Sequence, residues 1–154
     1  MIGAHSHLTY KGNLNHTRHG WLRLTPAYSV HLVANILESG ESARQLVLDP
    51  FCGTGTTALV CAERGIPCVT TDINPFLVWL SYTKTTRYTT RELADFSNAA
   101  DDIARTIVEY DTPTWSPPMF QIEKWWSVPV LAALSRMMWR IRSLTGTLAP
   151  HAHS

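Results

Sequence analysis

Cysteine is scarce in this chain. Cys52, Cys61 and Cys68 are an odd count with no CxxC pair. That argues against a disulfide framework or a zinc site and suits a reducing cytoplasm. No run of 18 apolar residues exists, so no membrane-spanning helix is expected. Met1 to Tyr10 lacks a positive start followed by an apolar stretch, so no signal peptide is expected. Neither charge sign dominates: 13 Lys and Arg face 12 Asp and Glu, for a formal charge of +1. No global basic field advertises a nucleic acid, although an average hides any local basic face. There is no internal repeat. What is present is a 45% apolar content over 154 residues. That is enough for one domain with a real core and excludes a disordered chain.

Residues 1–20 are polar and carry His5, His7, His16 and His19, so they read as a flexible arm. Val30, Val33, Ala34 and Leu37 recur at helical spacing after Ser29, a natural N-cap, and Gly40 closes the segment. Gln45-Leu46-Val47-Leu48 reads as a buried strand ending in Asp49. Pro50 to Thr57 is rich in Gly and Thr. A helix to Glu63 follows, and Gly65 stops it. Pro67 to Thr71 reads as a second strand ending at Asp72. Pro75 then opens a helix running to about Lys84. The order is strand, Gly loop, helix, strand: a βαβ unit with a right-handed crossover.

Beyond it, Thr89 and Glu92 form a capping-box pattern. Leu93, Phe96, Ala100, Ile103 and Ile107 follow on one face, which predicts a helix to about Tyr110. Prolines at 113, 117 and 118 break the chain. Ser127 is placed to cap a last helix, with Leu131, Leu134, Met138 and Ile141 as its buried stripe, and Gly146 to Ser154 reads as a frayed tail. Only two strands are convincing, whereas sheets usually have about four to six. The chain therefore reads as part of a larger α/β fold.

The chemistry is concentrated in Asp49-Pro50-Phe51-Cys52-Gly53-Thr54-Gly55-Thr56-Thr57. A ligand must approach the backbone where a strand turns into a helix, and Gly53 and Gly55 permit that. The helix start at Thr56 and Thr57 offers free N–H groups suited to a carboxylate. S-adenosylmethionine has such a carboxylate, and its sulfonium and ammonium suit an acidic Asp49. Asp72, ending the second strand, can accept both ribose hydroxyls, as acidic residues do in dinucleotide folds. Ile73 or Phe76 can then pack on the adenine. A nicotinamide site is disfavoured, because Ala58 stands where the third glycine of GxGxxG belongs.

DPFCGTGTT followed by TDINP resembles motifs I and II of the DNA N4-cytosine/N6-adenine methyltransferase family. The usual family patterns are DPFxGSGTT and GxDxxP. Thr70 replaces the usual Gly before Thr71-Asp72, a mild departure. Upstream, Arg18-His19-Gly20-Trp21 through Thr25-Pro26-Ala27-Tyr28-Ser29 resembles the family's motif X. The resemblance covers residues 17–88 well and, less specifically, 115–145 with Trp125-Trp126-Ser127.

It implies an α/β, Rossmann-like class I methyltransferase core, here incomplete and with additional helices. The implied reaction is methyl transfer from S-adenosylmethionine to the exocyclic amine of cytosine or adenine in duplex DNA, with the target base flipped out. The setting is cytoplasmic and of the restriction–modification kind. The implied cofactor residues are Thr25, Tyr28, Asp49, Pro50, Phe51, Cys52, Gly53, Gly55, Thr56, Thr57, Asp72, Ile73 and Asn74. The corresponding domain plan is a 1–20 arm, a 21–88 cofactor-binding half with its preceding helix, an 89–145 helical extension and a 146–154 tail.

The family's catalytic loop is [D/N/S]-P-P-[Y/F/W], which accepts from the amine and stacks on the base. Here Ser116, Pro117 and Pro118 match three of the four positions, with Met119 in the aromatic place and Phe120 one residue late. One reading is a degenerate catalytic loop. The plainer one is a proline-rich linker, because Met119 is a poor platform and Glu109 to Pro113 makes a poor strand. The linker reading puts the catalytic loop beyond Ser154 or on a second polypeptide that completes the sheet.

Lesser features have bland readings. Cys52 packs as a small apolar group rather than attacking anything. Pro67-Cys68 mimics the nucleophilic Pro-Cys of C5-cytosine methyltransferases, but it begins a strand behind the cofactor motif. His5, His7, His151 and His153 lack a third fixed metal ligand. Trp125 and Trp126 are read first as anchors of a helix to a core and second as base-stacking groups. Arg136, Arg140, Arg142, Lys84 and Arg87 are read first as solvated charge and second as phosphate contacts. Two other functions stay open. RNA guanine-N2 methyltransferases share a similar Gly loop, but they carry an RNA-binding domain for which the short arm is no substitute. A catalytically incomplete cofactor-binding fragment or subunit also fits.

Overall fold

The computed structural model describes residues 8–39, 46–107 and 118–144. The chain divides into two compact units, Met1–Arg87 and Tyr88–Ser154.

In the first unit, helix α1 spans Val30–Ser39, strand β1 Val47–Asp49, helix α2 Thr56–Arg64, strand β2 Cys68–Thr70 and helix α3 Pro75–Thr85. β1 and β2 pair in parallel, with Val47, Leu48 and Asp49 opposite Cys68, Val69 and Thr70. They form the two-stranded sheet of the described residues. Helix α2 is the hub and packs against α1, α3 and both strands. Its Ala58, Leu59, Val60 and Cys61 are buried together with Val33 of α1 and Leu80 of α3.

The helix ends follow local chemistry. Ser29 Oγ accepts from the His31 and Leu32 N–H groups at 3.1 and 3.4 Å and caps α1. Gly65, left-handed at φ 69°, ends α2, and the Ile66 N–H reaches back to the Cys61 carbonyl at 2.9 Å. Asn74 Oδ1 accepts from the Phe76 N–H at 3.0 Å and caps α3, with Pro75 in its first turn.

Several expectations need correction. β1 was expected to be a buried strand, yet Leu48 is 67% exposed and Val69 is also exposed. Within this unit, α2 covers one side of the sheet, and no described element of the unit covers the other. Nor do residues 8–20 behave as an arm. They form short 3-10 turns at Tyr10–Asn13 and Arg18–Gly20 and bury Asn13 and His19. Asn13 explains this, because its side chain accepts from the Val30 N–H at 2.7 Å and donates to the Tyr28 carbonyl at 2.8 Å. Gly40 and Gln45 lie outside the described residues.

In the second unit, α4 spans Thr90–Thr106 and α5 Val128–Ser143, and the two pack together. The capping box is complete. Thr89 Oγ1 accepts from the Glu92 N–H at 3.2 Å, and Glu92 Oε2 accepts from the Thr89 N–H at 2.7 Å. α4 is described to Thr106 with Ile107 as its C-cap, and Tyr110, where the helix was expected to end, lies outside the described residues. Its Leu93 and Phe96 are exposed, so the apolar face is only partly covered. Ser127 occupies the N-cap of α5, but its side chain makes no capping bond. Leu131, Leu134 and Met138 are half-buried, whereas Ile141 is exposed, against expectation. Arg140 pairs with Asp102, and Arg136 donates to the Ile107 carbonyl. These two arginines therefore tie α5 to the end of α4 instead of standing free in solvent. Trp125, expected as a core anchor, is 68% exposed.

Candidate functional site

The Gly loop runs from the end of β1 into α2. Gly53 and Gly55 are both left-handed, at φ 49° and 74°. A Cβ on Gly53 would meet only the Phe51 carbonyl at 3.8 Å, so its side is open. A Cβ on Gly55 would lie 2.6 Å from Ser81 Oγ and 2.9 Å from Ser81 Cα. The two glycines therefore serve different needs. Gly53 leaves room above the loop, and Gly55 lets the loop lie on α3. Helix α2 then begins at Thr56 without a side-chain cap. Its first N–H groups are left to an external acceptor, as the N-terminus of a helix favours.

Backbone bonds lace the loop to the end of β2. The Cys52 N–H donates to the Thr71 carbonyl at 2.8 Å, and Thr71 Oγ1 donates to the Pro50 carbonyl at 2.9 Å. Asp49 is buried, and its Oδ1 accepts from the Phe51 N–H at 3.1 Å. The Asp72 carboxylate closes the loop from the opposite side. Oδ1 accepts from the Asn74 N–H at 2.9 Å and Oδ2 from the Gly53 N–H at 3.0 Å. These backbone donors, Asn74 first and then Gly53, hold the carboxyl below its ordinary range. Asp72 is thus an oriented anion at the C-terminal end of β2, and each oxygen keeps further acceptor capacity.

The structure brings Asp49 through Thr57 and Asp72 through Asn74 together at one end of the sheet. Cys52 is buried, with Sγ near the Gly53 and Leu77 carbonyls. Burial, and then the Asp72 and Asp49 carboxylates, push its thiol up, which disfavours the thiolate. Ile73 is 100% exposed. Phe76 stacks on Trp79 with centroids 5.8 Å apart. The Asn74 side chain is engaged in capping α3. Thr25 and Tyr28 sit on an exposed turn, and no hydrogen bond or ring contact joins them to the loop. Tyr28 bridges to Thr9 instead.

Of the catalytic candidates, Ser116 and Pro117 lie outside the described residues. Pro118 is an exposed bend, next to a hollow of about 570 Å³ lined by Met119, Phe120, Gln121, Lys124 and Trp125. His5, His7, His151 and His153 also lie outside the described residues. Among the described residues no three His, Cys, Asp or Glu side chains are grouped to hold a metal.

Two groups escaped the sequence reading. Lys84 is neither solvated nor placed for phosphate. It is 1% exposed, and Nζ donates to the Thr54 carbonyl at 2.8 Å. Desolvation lowers its pKa to about 8. The available signal was its place on the buried face of α3, one turn after Leu80 and Ser81. His19 is buried with neither ring nitrogen hydrogen-bonded, and Nε2 lies 3.5 Å from Glu63 Oε2. Burial lowers its pKa, opposed by Glu63.

The family described as DNA methylase, for N6 and N4 amino-methylation, matches residues 6–83, just over half of the chain. That stretch contains both glycines, Asp49 and Asp72. This chain belongs to the DNA methylase family. Type II methyltransferase M.BsoBI of Geobacillus stearothermophilus is 39% identical over 69 residues, covering 44% of this chain and 14% of that protein. Type II methyltransferase M.MjaII of Methanocaldococcus jannaschii is 34% identical over 62 residues, covering 40% of this chain and 12% of that protein. The matched part of this chain thus spans only 14% and 12% of those relatives. No solved structure matches it significantly. A small parallel sheet flanked by helices is consistent with an incomplete methyltransferase core. Family membership implies a methyl donor. No described helix is long and apolar enough to cross a membrane.

Proposed function

We propose that this methylase chain is the S-adenosylmethionine-binding part of a DNA amino-methyltransferase with a Rossmann-like class I core, acting in the cytoplasm. The observation that carries the reading is the joining of the open Gly53 turn to the Asp72 carboxylate by a 3.0 Å hydrogen bond. An anion-accepting helix start and an oriented anion then flank one space, which suits a ligand with a carboxylate at one end and a ribose further along. When bound, S-adenosylmethionine supplies an electrophilic methyl group on a sulfonium. The uncapped start of α2 at Thr56 and Thr57 receives the methionine carboxylate. Asp49 gives the loop acidic character beside the cationic groups. Asp72 accepts from the ribose hydroxyls, and Ile73 and Phe76 offer apolar surface to the adenine. Pro50, Phe51, Cys52 and Asn74 shape the cradle, with Thr25 and Tyr28 belonging to its methionine end.

The acceptor is proposed to be an exocyclic amine of cytosine or adenine in DNA, extruded from the duplex. We assign residues 21–88 to cofactor binding and 89–145 to a helical extension. The amine-accepting loop is assigned to protein outside the described residues. Either a longer chain or a second polypeptide is proposed to complete the sheet and to bring the elements that cover the bare face of Leu48 and Val69. The loop around Pro118 is the weaker assignment, because an exposed Met119 stands in the place of the stacking aromatic.

The test is calorimetric titration of the chain with S-adenosylmethionine. Binding is expected, and Asp72→Ala should weaken it about tenfold or more through loss of charged hydrogen bonds. Affinity unchanged by the substitution overturns the ribose assignment. A folded chain that binds no cofactor overturns the reading.

A further inference from the structure

The Gly loop is gripped from more than one direction, and the grip from α3 has no counterpart in the reaction chemistry. Asp72 holds the Gly53 N–H, and Ser81 supports Gly55 from below. Between them the Thr54 carbonyl points inward and meets Lys84 Nζ at 2.8 Å. Thr54 is itself buried, with Oγ1 3.3 Å from Thr56 Oγ1. A lysine with 1% exposure is unusual, because burying an ammonium is costly without compensation. Among the described residues no carboxylate pairs with it. The ion pairs there are His19–Glu63, Glu38–Arg64, Arg91–Asp95 and Asp102–Arg140. The Thr54 carbonyl is its hydrogen-bond acceptor. Lys84 is in turn fixed at its backbone, where Arg18 Nη1 donates to the Lys84 carbonyl at 2.8 Å and to the Thr86 carbonyl at 3.2 Å.

We infer that Lys84 is a positioning residue that holds the Thr54 peptide in the orientation the cofactor needs, with Arg18 fixing the end of α3 from which it reaches. A peptide rotated by one side chain decides where the neighbouring N–H groups point. Turning the Thr54 carbonyl down into the protein leaves the Gly53–Gly55 turn open above. A long side chain with a donor at its tip suits this task, because Nζ reaches the buried Thr54 carbonyl from α3 at 2.8 Å. An apolar residue would fill the space and leave the Thr54 carbonyl buried and unsatisfied.

The inference rests on the proposed cofactor site, but its first measurement does not. Amide hydrogen exchange on the full chain without cofactor compares the loop amides of Cys52, Gly53 and Gly55 with those of Val60 and Cys61 in α2. Lys84→Met should speed exchange in the loop by about tenfold or more relative to α2, through local opening. A second measurement needs no substitution. Burial places Lys84 near pH 8. Between pH 7 and pH 9, losing its proton turns a charge-assisted bond into a neutral one. Loop protection relative to α2 should therefore fall by about two- to fivefold in the wild type and stay flat in Lys84→Met.

The groups facing Lys84 do not confuse that window. His19, which feels the Lys84 charge, is pushed by burial toward its neutral form, and Glu63 and His16 face His19. The Cys52 thiol is pushed upward. If Lys84→Met does not fold, the wild-type pH comparison decides alone. Loop and α2 amides that move together, or a loop that responds to neither change, overturn the assignment. Calorimetry with S-adenosylmethionine then separates the two claims. A loop that responds as expected in a chain that binds no cofactor sinks the proposed function and leaves the Lys84 clamp standing. A chain that binds while its loop ignores Lys84 sinks the clamp alone.

Discussion

Helices α2 and α4 invert the usual relation between local sequence quality and burial. α4 has 17 residues, a complete capping box and the stronger amphipathic stripe, yet none of its side chains from Thr90 to Arg105 is buried. α2 has nine residues and starts from a left-handed glycine without a side-chain cap, yet it buries Thr56, Ala58, Leu59, Val60 and Cys61. The lesson is that capping and periodicity say where a helix lies and which way it faces. What it faces is decided by neighbours that are distant in sequence. α2 is enclosed by α1, α3 and the sheet, whereas the contacts of α4 in its own unit are with α5.

The largest effect that tests this contrast is in the core. Leu59→Ala should cost about 3 kcal/mol in the unit that holds α2, by lost transfer energy and a residual cavity. Phe96→Ala, at an exposed position of α4, should stay within about 0.5 kcal/mol. Urea unfolding read from amide exchange in each helix checks both. Equal losses would break the contrast and show that α4 has a hidden partner. Next comes a pair within the Gly loop. Gly55→Ala combines left-handed strain with a collision against Ser81 and should cost about 2–3 kcal/mol. Gly53→Ala, with open space around its Cβ, should cost about 1 kcal/mol. Gly53→Ala should impair S-adenosylmethionine binding out of proportion to that small loss, since its open side is the ligand's side. The smallest effect sharpens the view of α4. Thr89→Ala removes the reciprocal cap and should cost about 1 kcal/mol, lost by fraying of the first turn of α4 in circular dichroism.

Much of the fold was legible because its signals are local. Pro75, the Thr89–Glu92 box, Ser29 before Val30 and Gly65 each act within one turn of helix. Gly53 and Gly55 were legible because a left-handed turn between strand and helix has few other solutions. Leu48 was misjudged because a strand's pattern reports which face is apolar and not whether anything covers it. Lys84 was misjudged because its acceptor, the Thr54 carbonyl, lies 30 residues away. Charge is a sound guide to exposure only until a backbone carbonyl takes the place of water. Asn13 was lost for a related reason. A polar segment resembles an arm until its side chains find backbone groups to bond, as Asn13 does on both sides of Ser29. Ser127 shows the converse, since a residue of the right type in the right place makes no cap when its hydroxyl does not meet the N–H groups.

Arg18 has a consequence for the order of events at the ribosome. Its two acceptors are carbonyls 66 and 68 residues downstream. The guanidinium therefore emerges early and waits through the synthesis of the sheet, both glycines and nearly all of α3 before it can bond. Contacts of such long sequence separation close late in folding. The latch can close fully only when Thr86 has cleared the exit tunnel, so a nascent chain halted between Thr57 and Lys84 holds the whole glycine turn but not the latch behind it.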